Sequence, residues 1–123
     1  MSTLDQAMNY LAGLDLVLRT GTITKASGWS TGVNWVKRKF GIVEFYYECN
    51  GGTLPSSGWF TVGTLPSGFR PNSYFDMINL DNQKSTDCCV KVTSTGAIQI
   101  YRTSSMSNNF RLHGMFSVWG GGN

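Results

Sequence analysis

Apolar and polar residues alternate along most of this chain, and this pattern predicts short β-strands. In the segment 42–49, one face is apolar and consists of Val43, Phe45, Tyr47 and Cys49. Strands are predicted at 14–24, 33–39, 42–49, 59–62, 74–80, 88–92, 97–101 and 110–119. Eight short strands separated by turns predict an all-β fold, either a jelly-roll-like β-sandwich or a barrel.

The last predicted strand separates its residues into two sets. Its apolar face is formed by Phe110, Leu112, Phe116 and Val118, and its other face by Arg111, His113, Met115 and Trp119. In the preceding strand, Tyr101 lies on the face opposite Ile100. If these two strands pair, Tyr101, Arg111, His113 and Trp119 share one outward surface, which is predicted to bind a ligand or a neighbouring subunit.

The first residues of the chain follow a different period. Thr3 and Gln6 have the spacing of a capping box, and Gly13 is suited to end a helix. Leu4, Met8 and Leu11 recur at helical spacing, so a short helix is predicted over about 4–12. The chain is thus divided into a helix or neck at 1–13 and a β-domain at 14–123. The helix packs either on its own domain or on copies of itself.

A proline-rich crossing occupies the middle of the chain, at Val62–Pro71. Neither Pro66 nor Pro71 fits a central strand, because proline has a fixed φ and no backbone N–H. Gly68 allows the positive φ of a tight turn. The crossing is predicted to be ordered, with Leu65 and Phe69 anchored in the core.

Composition and charge exclude several classes of function. The chain has 123 residues, with 13% aromatic and only 14% charged residues, which indicates one globular domain with a weakly charged surface. The net charge is +3, but the basic residues cluster only at 37–39, which disfavours nucleic-acid binding. No apolar run reaches the roughly 18 residues of a membrane span, and no signal peptide is recognisable.

The residues typical of active sites and metal sites are scarce. There is one histidine, the seven acidic residues are scattered, and no nucleophile elbow, metalloprotease motif or phosphate loop occurs. Cys49, Cys88 and Cys89 show no metal-binding spacing and are predicted to be reduced and buried. We therefore predict no catalytic residues, no metal and no cofactor.

Aromatic residues are the best candidates for ligand contact. The apolar faces of sugar rings pack against aromatic rings, while polar side chains bond the hydroxyls. Candidate contacts are Trp29, Trp59 and Trp119, together with Tyr101, Arg111 and His113. The alternative for each tryptophan is a place in the core.

Three blocks of the sequence, in this order, resemble the receptor-binding head domains of tail fibres and baseplates of phages that infect Gram-positive bacteria. They are Gly41–Phe45, the crossing Val62–Pro71, and Thr95–Tyr101. The crossing resembles the family's pattern G-x-LP-x-G-[FY]-R-P, and the third block resembles its G-x-I-x-I hairpin. The resemblance covers roughly residues 33–119.

The resemblance implies a homotrimeric, non-catalytic head that binds host cell-wall polysaccharide or teichoic acid. It also implies a location in the virion, at the tail tip or baseplate, with contacts to other tail proteins after synthesis in the host cytoplasm. Two alternatives remain open at this stage. One is a structural trimerisation or decoration module without a ligand, and the other is a hydrolase of wall glycans.

Overall fold

The computed structural model describes residues 3–13, 15–73, 75–78, 89–104 and 106–118. In these residues the chain forms a helix followed by nine strands in two antiparallel sheets. The elements are α1 (Thr3–Gly13), β1 (Arg19–Gly21), β2 (Thr24–Lys25), β3 (Ser30–Lys39), β4 (Ile42–Asn50), β5 (Trp59–Thr64), β6 (Phe75–Ile78), β7 (Cys89–Val92), β8 (Ala97–Tyr101) and β9 (Asn109–Ser117). The predicted all-β sandwich with a short N-terminal helix is confirmed.

The order of the strands places β8 and β9, the last two along the chain, in different sheets. One sheet has four strands in the order β1-β3-β4-β9, and the other has five in the order β2-β5-β8-β7-β6. The last two strands therefore do not pair with each other, because β9 pairs with β4 and β8 pairs with β5 and β7. The predicted single surface of Tyr101 with Arg111 and His113 is wrong for this reason.

The core lies between the two sheets and follows the predicted alternation. In β4 and β9, the inward residues are buried and the outward ones are partly or fully exposed. The core side chains of these two strands are Val43, Phe45, Tyr47, Cys49, Phe110, Leu112 and Phe116. Each large apolar side chain that is fully buried contributes roughly 1.5–3 kcal/mol to folding.

The first predicted strand, 14–24, is wrong in its extent. Only the short strands β1 and β2 form there, and Leu16 and Leu18 are 42% and 53% exposed. Asp15 has a φ of 56° and turns the chain away from an extended path. Leu16 and Leu18 therefore do not face the core.

The chain passes from the four-stranded to the five-stranded sheet between β1 and β2. At this corner the side-chain amide of Asn34 accepts a hydrogen bond from the N–H of Ile23 and donates one to its carbonyl, both at 2.7 Å. The Ile23 side chain is 3% exposed and belongs to the core. The amide thus replaces the strand neighbour that Ile23 lacks at the corner.

A buried ion pair holds the β3–β4 turn. Asp15 accepts hydrogen bonds from Arg38 Nε at 2.7 Å, from Arg19 Nη2 at 2.8 Å and from the Gly41 N–H at 3.2 Å. Burial by itself raises the pKa of Asp15, but the bonds from Arg38 and Arg19 outweigh it and hold the pKa below its usual value. The carboxylate therefore stays charged.

The central crossing is ordered, and Arg38 of the buried ion pair is hydrogen-bonded to it. Leu65 is fully buried and Phe69 nearly so, which confirms the predicted anchors. Gly68 has a φ of 91°, and its carbonyl accepts a bond from Arg38 Nη1 at 2.8 Å. Arg70 donates from Nε to the Leu65 carbonyl at 2.9 Å and so closes the crossing on itself.

Tyr47 fills the centre of the sandwich and bonds across it. Its hydroxyl donates to the Val62 carbonyl at 2.7 Å, and burial raises its pKa above the usual value. A Cβ on Gly63 would lie 2.8 Å from the Tyr47 ring and 2.9 Å from Ile23, so only glycine fits over the ring. Glycine at this bulge in β5 therefore makes room for Tyr47.

The cysteines differ in their surroundings. Cys49 is buried, as predicted, whereas Cys89 is exposed at the start of β7. The prediction that all three thiols are buried is thus wrong for Cys89, and Cys88 lies outside the described residues.

Candidate functional site

The predicted site residues fall into three places. Trp59 and Tyr101 lie on the outer face of the five-stranded sheet, and Arg111 and His113 on the outer face of the four-stranded sheet. Trp29 lies in the core, and Trp119 is outside the described residues. The sandwich therefore carries two separate outward clusters on opposite faces.

Trp59 and Tyr101 form an exposed aromatic pair. They are directly opposite each other in β5 and β8, and their ring centroids are 5.3 Å apart at an interplanar angle of 73°. Trp59 is 39% and Tyr101 44% exposed. In this edge-to-face arrangement, each ring leaves part of its apolar surface exposed to solvent.

Polar side chains border the aromatic pair along the next row of the sheet. Lys91 Nζ lies 4.0 Å from the centroid of the Trp59 ring, in cation–π contact. Gln99 is opposite Thr61 on one side and Lys91 on the other, and its Nε2 donates to Thr61 Oγ1 at 3.1 Å. An ammonium, an amide and a hydroxyl thus lie next to exposed rings, a combination suited to a polyhydroxylated ligand with an anionic group.

The cluster on the four-stranded sheet is a row of three rings. Trp35, Tyr46 and His113 lie opposite one another on β3, β4 and β9. The Tyr46 and His113 centroids are 5.4 Å apart in a stacked arrangement, and Trp35 lies 6.2 Å from Tyr46. Because Trp35, Tyr46 and His113 are only partly exposed, they offer less free ring surface than the exposed Trp59–Tyr101 pair.

Two acidic side chains on the same face are bonded to side chains of β9. His113 Nε2 lies 2.8 Å from Glu44 Oε2, and Arg111 Nη2 lies 2.8 Å from Glu48 Oε2. Lys37 Nζ lies 4.6 Å from the centroid of the Trp35 ring. This surface therefore combines stacked rings with matched charges.

Trp29 has a structural role. It is 4% exposed, and its ring lies 6.2 Å from Phe60 and 5.8 Å from Phe110, measured between centroids. A Cβ on Gly52 would collide with the indole, so the chain passes directly over it. The structure corrects the prediction of a ligand contact at Trp29, because the ring is enclosed by the core and does not reach the surface.

Several residues of the two clusters were not predicted as site residues, namely Trp35, Tyr46, Thr61, Lys91 and Gln99. Trp35, Tyr46 and Lys91 each lie on the polar side of an alternating strand. The alternation indicates that such residues face outward, but only the strand order shows which of them are neighbours. The strand order depends on long-range pairing, which local sequence patterns do not specify.

Comparisons with known proteins show a shared fold. No family model matches the sequence, and no curated protein matches it. Among solved structures, the chain is similar to the receptor binding protein (gp15) of Listeria phage PSA, with a TM-score of 0.59 and 18% sequence identity. The match covers 93% of this chain and 76% of the phage protein.

The described ranges contain no group of three or more His, Cys, Asp or Glu side chains placed to bind a metal ion. They also contain no helix with the length and apolarity needed to cross a bilayer.

Proposed function

We propose that this chain is the adhesion head of a phage tail fibre or baseplate, which binds a saccharide on the surface of a Gram-positive host without catalysis. The observation that carries the proposal is the similarity in fold, over 93% of the chain, to a receptor binding protein of a Listeria phage. The three sequence blocks that resemble such heads support the same function independently.

The Trp59–Tyr101 pair is the proposed saccharide contact. The C–H face of a sugar ring packs against either exposed ring, and Thr61 and Gln99 bond its hydroxyls. Lys91 attracts a phosphate or carboxylate on the polymer, so teichoic acid fits this surface as well as a neutral wall polysaccharide.

The proposed functional unit is a homotrimer held by α1 and attached to other tail proteins in the virion. The helix has only 11 residues, and helices of this length are marginal in water without packing. Its apolar residues Leu4, Met8 and Leu11 have the spacing of a coiled-coil seam. Three heads on one axis multiply a weak single-site affinity through avidity.

Binding to purified walls tests the proposal. The chain is mixed with Gram-positive wall fractions that contain or lack teichoic acid, and a soluble wall oligosaccharide is titrated to measure affinity without avidity. Trp59→Ala is expected to weaken oligosaccharide binding at least about tenfold, equivalent to about 1.4 kcal/mol. Trp35→Ala, a tryptophan substitution on the opposite outer face, is the matched control and leaves the affinity unchanged.

Other outcomes distinguish the alternatives. If the wild-type chain binds no wall fraction, the adhesion proposal is refuted and a structural module without a ligand is favoured. Release of soluble sugars from the walls during incubation would indicate a hydrolase. Equal loss of affinity in Trp59→Ala and Trp35→Ala would refute the assignment of the site to the five-stranded sheet.

A further inference from the structure

Exposed apolar side chains are concentrated at the end of the sandwich that joins α1. Six of them form what we call the basal patch: Leu16, Val17, Leu18, Phe40, Ile42 and Met115. Their exposed fractions range from 42% for Leu16 to 75% for Val17. Outside the patch and the helix, the large apolar side chains exposed in the described residues are Val33, Trp59 and Tyr101.

Backbone contacts bring the basal patch together. The Phe40 N–H donates to the Asp15 carbonyl at 2.7 Å, so the segment 16–18 lies beside the β3–β4 turn. Ile42 is opposite Ser117 and Met115 is opposite Glu44, which makes Ile42 and Met115 diagonal neighbours on the outer face of the four-stranded sheet. The patch therefore extends from the linker after α1 onto this sheet, with Lys39 opposite Ile42 within it.

The helix next to the patch is uncovered. Every residue at 3–10 is exposed, including Leu4 at 66% and Met8 at 60%. A short helix with an exposed apolar seam gains its stability from packing. The apolar seam and the basal patch follow each other along the chain, so one partner can cover both.

We propose that the basal patch is an interface between copies of this chain, formed together with the helical neck. This inference rests on the self-association proposed above and assigns it a second surface. Identical seams pack on one another in parallel. Parallel helices bring the basal patches of neighbouring copies to the same level along the helix axis. A second copy is thus the partner that covers helix and patch at once.

The surface beyond the patch is compatible with burial. Next to Ile42 and Met115, Glu44 is already paired with His113 on the same face. Lys39, opposite Ile42 on this face, lies with its Nζ 5.0 Å from the centroid of the Phe40 ring. The Glu44 carboxylate and the Lys39 ammonium therefore each keep a partner within the chain when the face is covered. Aromatic residues and methionine, which are enriched in interfaces, occupy this face.

Substitutions at two residues with the same exposed fraction test the interface. Ile42 and Tyr101 are both 44% exposed on outer faces of strands, one in the patch and the other on the five-stranded sheet. Ile42→Glu is expected to weaken self-association at least about 30-fold, the effect of an interface hot spot, as measured by sedimentation equilibrium. Tyr101→Glu is expected to leave the assembly intact and to weaken oligosaccharide binding instead.

Further variants keep the outcomes distinct. Val17→Asp lies outside the strands and repeats the test if Ile42→Glu fails to fold, as judged by circular dichroism. If both patch variants assemble like the wild type while Met8→Glu dissociates, the patch is not an interface and the neck alone joins the copies. If the wild-type chain is monomeric at about 100 μM, the inference and the proposed trimer both fail, whereas oligosaccharide binding still tests adhesion separately.

Discussion

Replacing Asp15 with asparagine tests whether the buried ion pair stabilises the fold. Asparagine keeps the size of the side chain and tolerates the φ of 56° at this position, so the change removes mainly the charge. The variant has one side-chain acceptor for the donors of Arg38, Arg19 and Gly41, and it leaves the buried Arg38 guanidinium without a counter-ion. Removing one member of a buried ion pair lowers the free energy of unfolding by about 3–5 kcal/mol. Because asparagine keeps one acceptor, we expect a loss near the lower limit, about 3 kcal/mol.

Urea unfolding at one fixed protein concentration measures this loss. For a slope of about 1–3 kcal/mol per molar, the midpoint falls by roughly 1–3 M. Arg19→Ala is the internal control, because its side chain is 47% exposed and such an ion pair contributes less than about 1 kcal/mol. A loss below about 1 kcal/mol for Asp15→Asn at pH 7 would refute the reasoning.

The pH dependence gives an independent check of the same ion pair. The pKa of folded Asp15 is below the usual value of 3.8, so the stabilisation is present above pH 3.8 and is lost as the pH falls through the folded pKa. The difference in free energy of unfolding between the wild type and Asp15→Asn must therefore become smaller in acid. A difference that stays constant from pH 7 to pH 2 would show that the charge of Asp15 is not its source.

Two further substitutions test the packing of the core. Tyr47→Phe removes the bond to the Val62 carbonyl, which still accepts the Ala26 N–H at 3.1 Å, so the expected loss is about 1 kcal/mol in urea unfolding at pH 7. Because burial raises the pKa of Tyr47, the wild type loses this advantage as the pH rises above 10, and the phenylalanine variant does not. Gly52→Ala places a Cβ against the Trp29 indole and should cost about 1–3 kcal/mol; an unchanged thermal midpoint would contradict this packing.

Local patterns predicted the parts of the fold that depend on neighbouring residues in the sequence. The alternation in β4 and β9 identified their buried faces, and the turn at 93–96 joins β7 to β8 as expected. The prolines and Gly68 identified the central crossing, since their backbone preferences act locally. These features need no knowledge of which strands are neighbours.

The errors came from long-range pairing. Leu16 and Leu18 have the spacing of a strand, but the hydrogen bonds of Asp15 to Arg38 and Gly41 direct the segment out of the core. Tyr101 and His113 are close in sequence, yet their strands belong to different sheets. The arrangement of the outward clusters could be obtained only from the fold.

The Asn34 amide at the corner between the sheets affects where the sandwich opens first. It joins the β1–β2 edge through two hydrogen bonds to Ile23 that do not depend on apolar packing. At the opposite edge, β9 and β6 are the terminal strands of their sheets. β9 pairs with β4 at nine positions, whereas β1 and β2 pair with their neighbours at three and two. Loss of the Asn34 bonds should therefore release the β1–β2 edge before β9 separates.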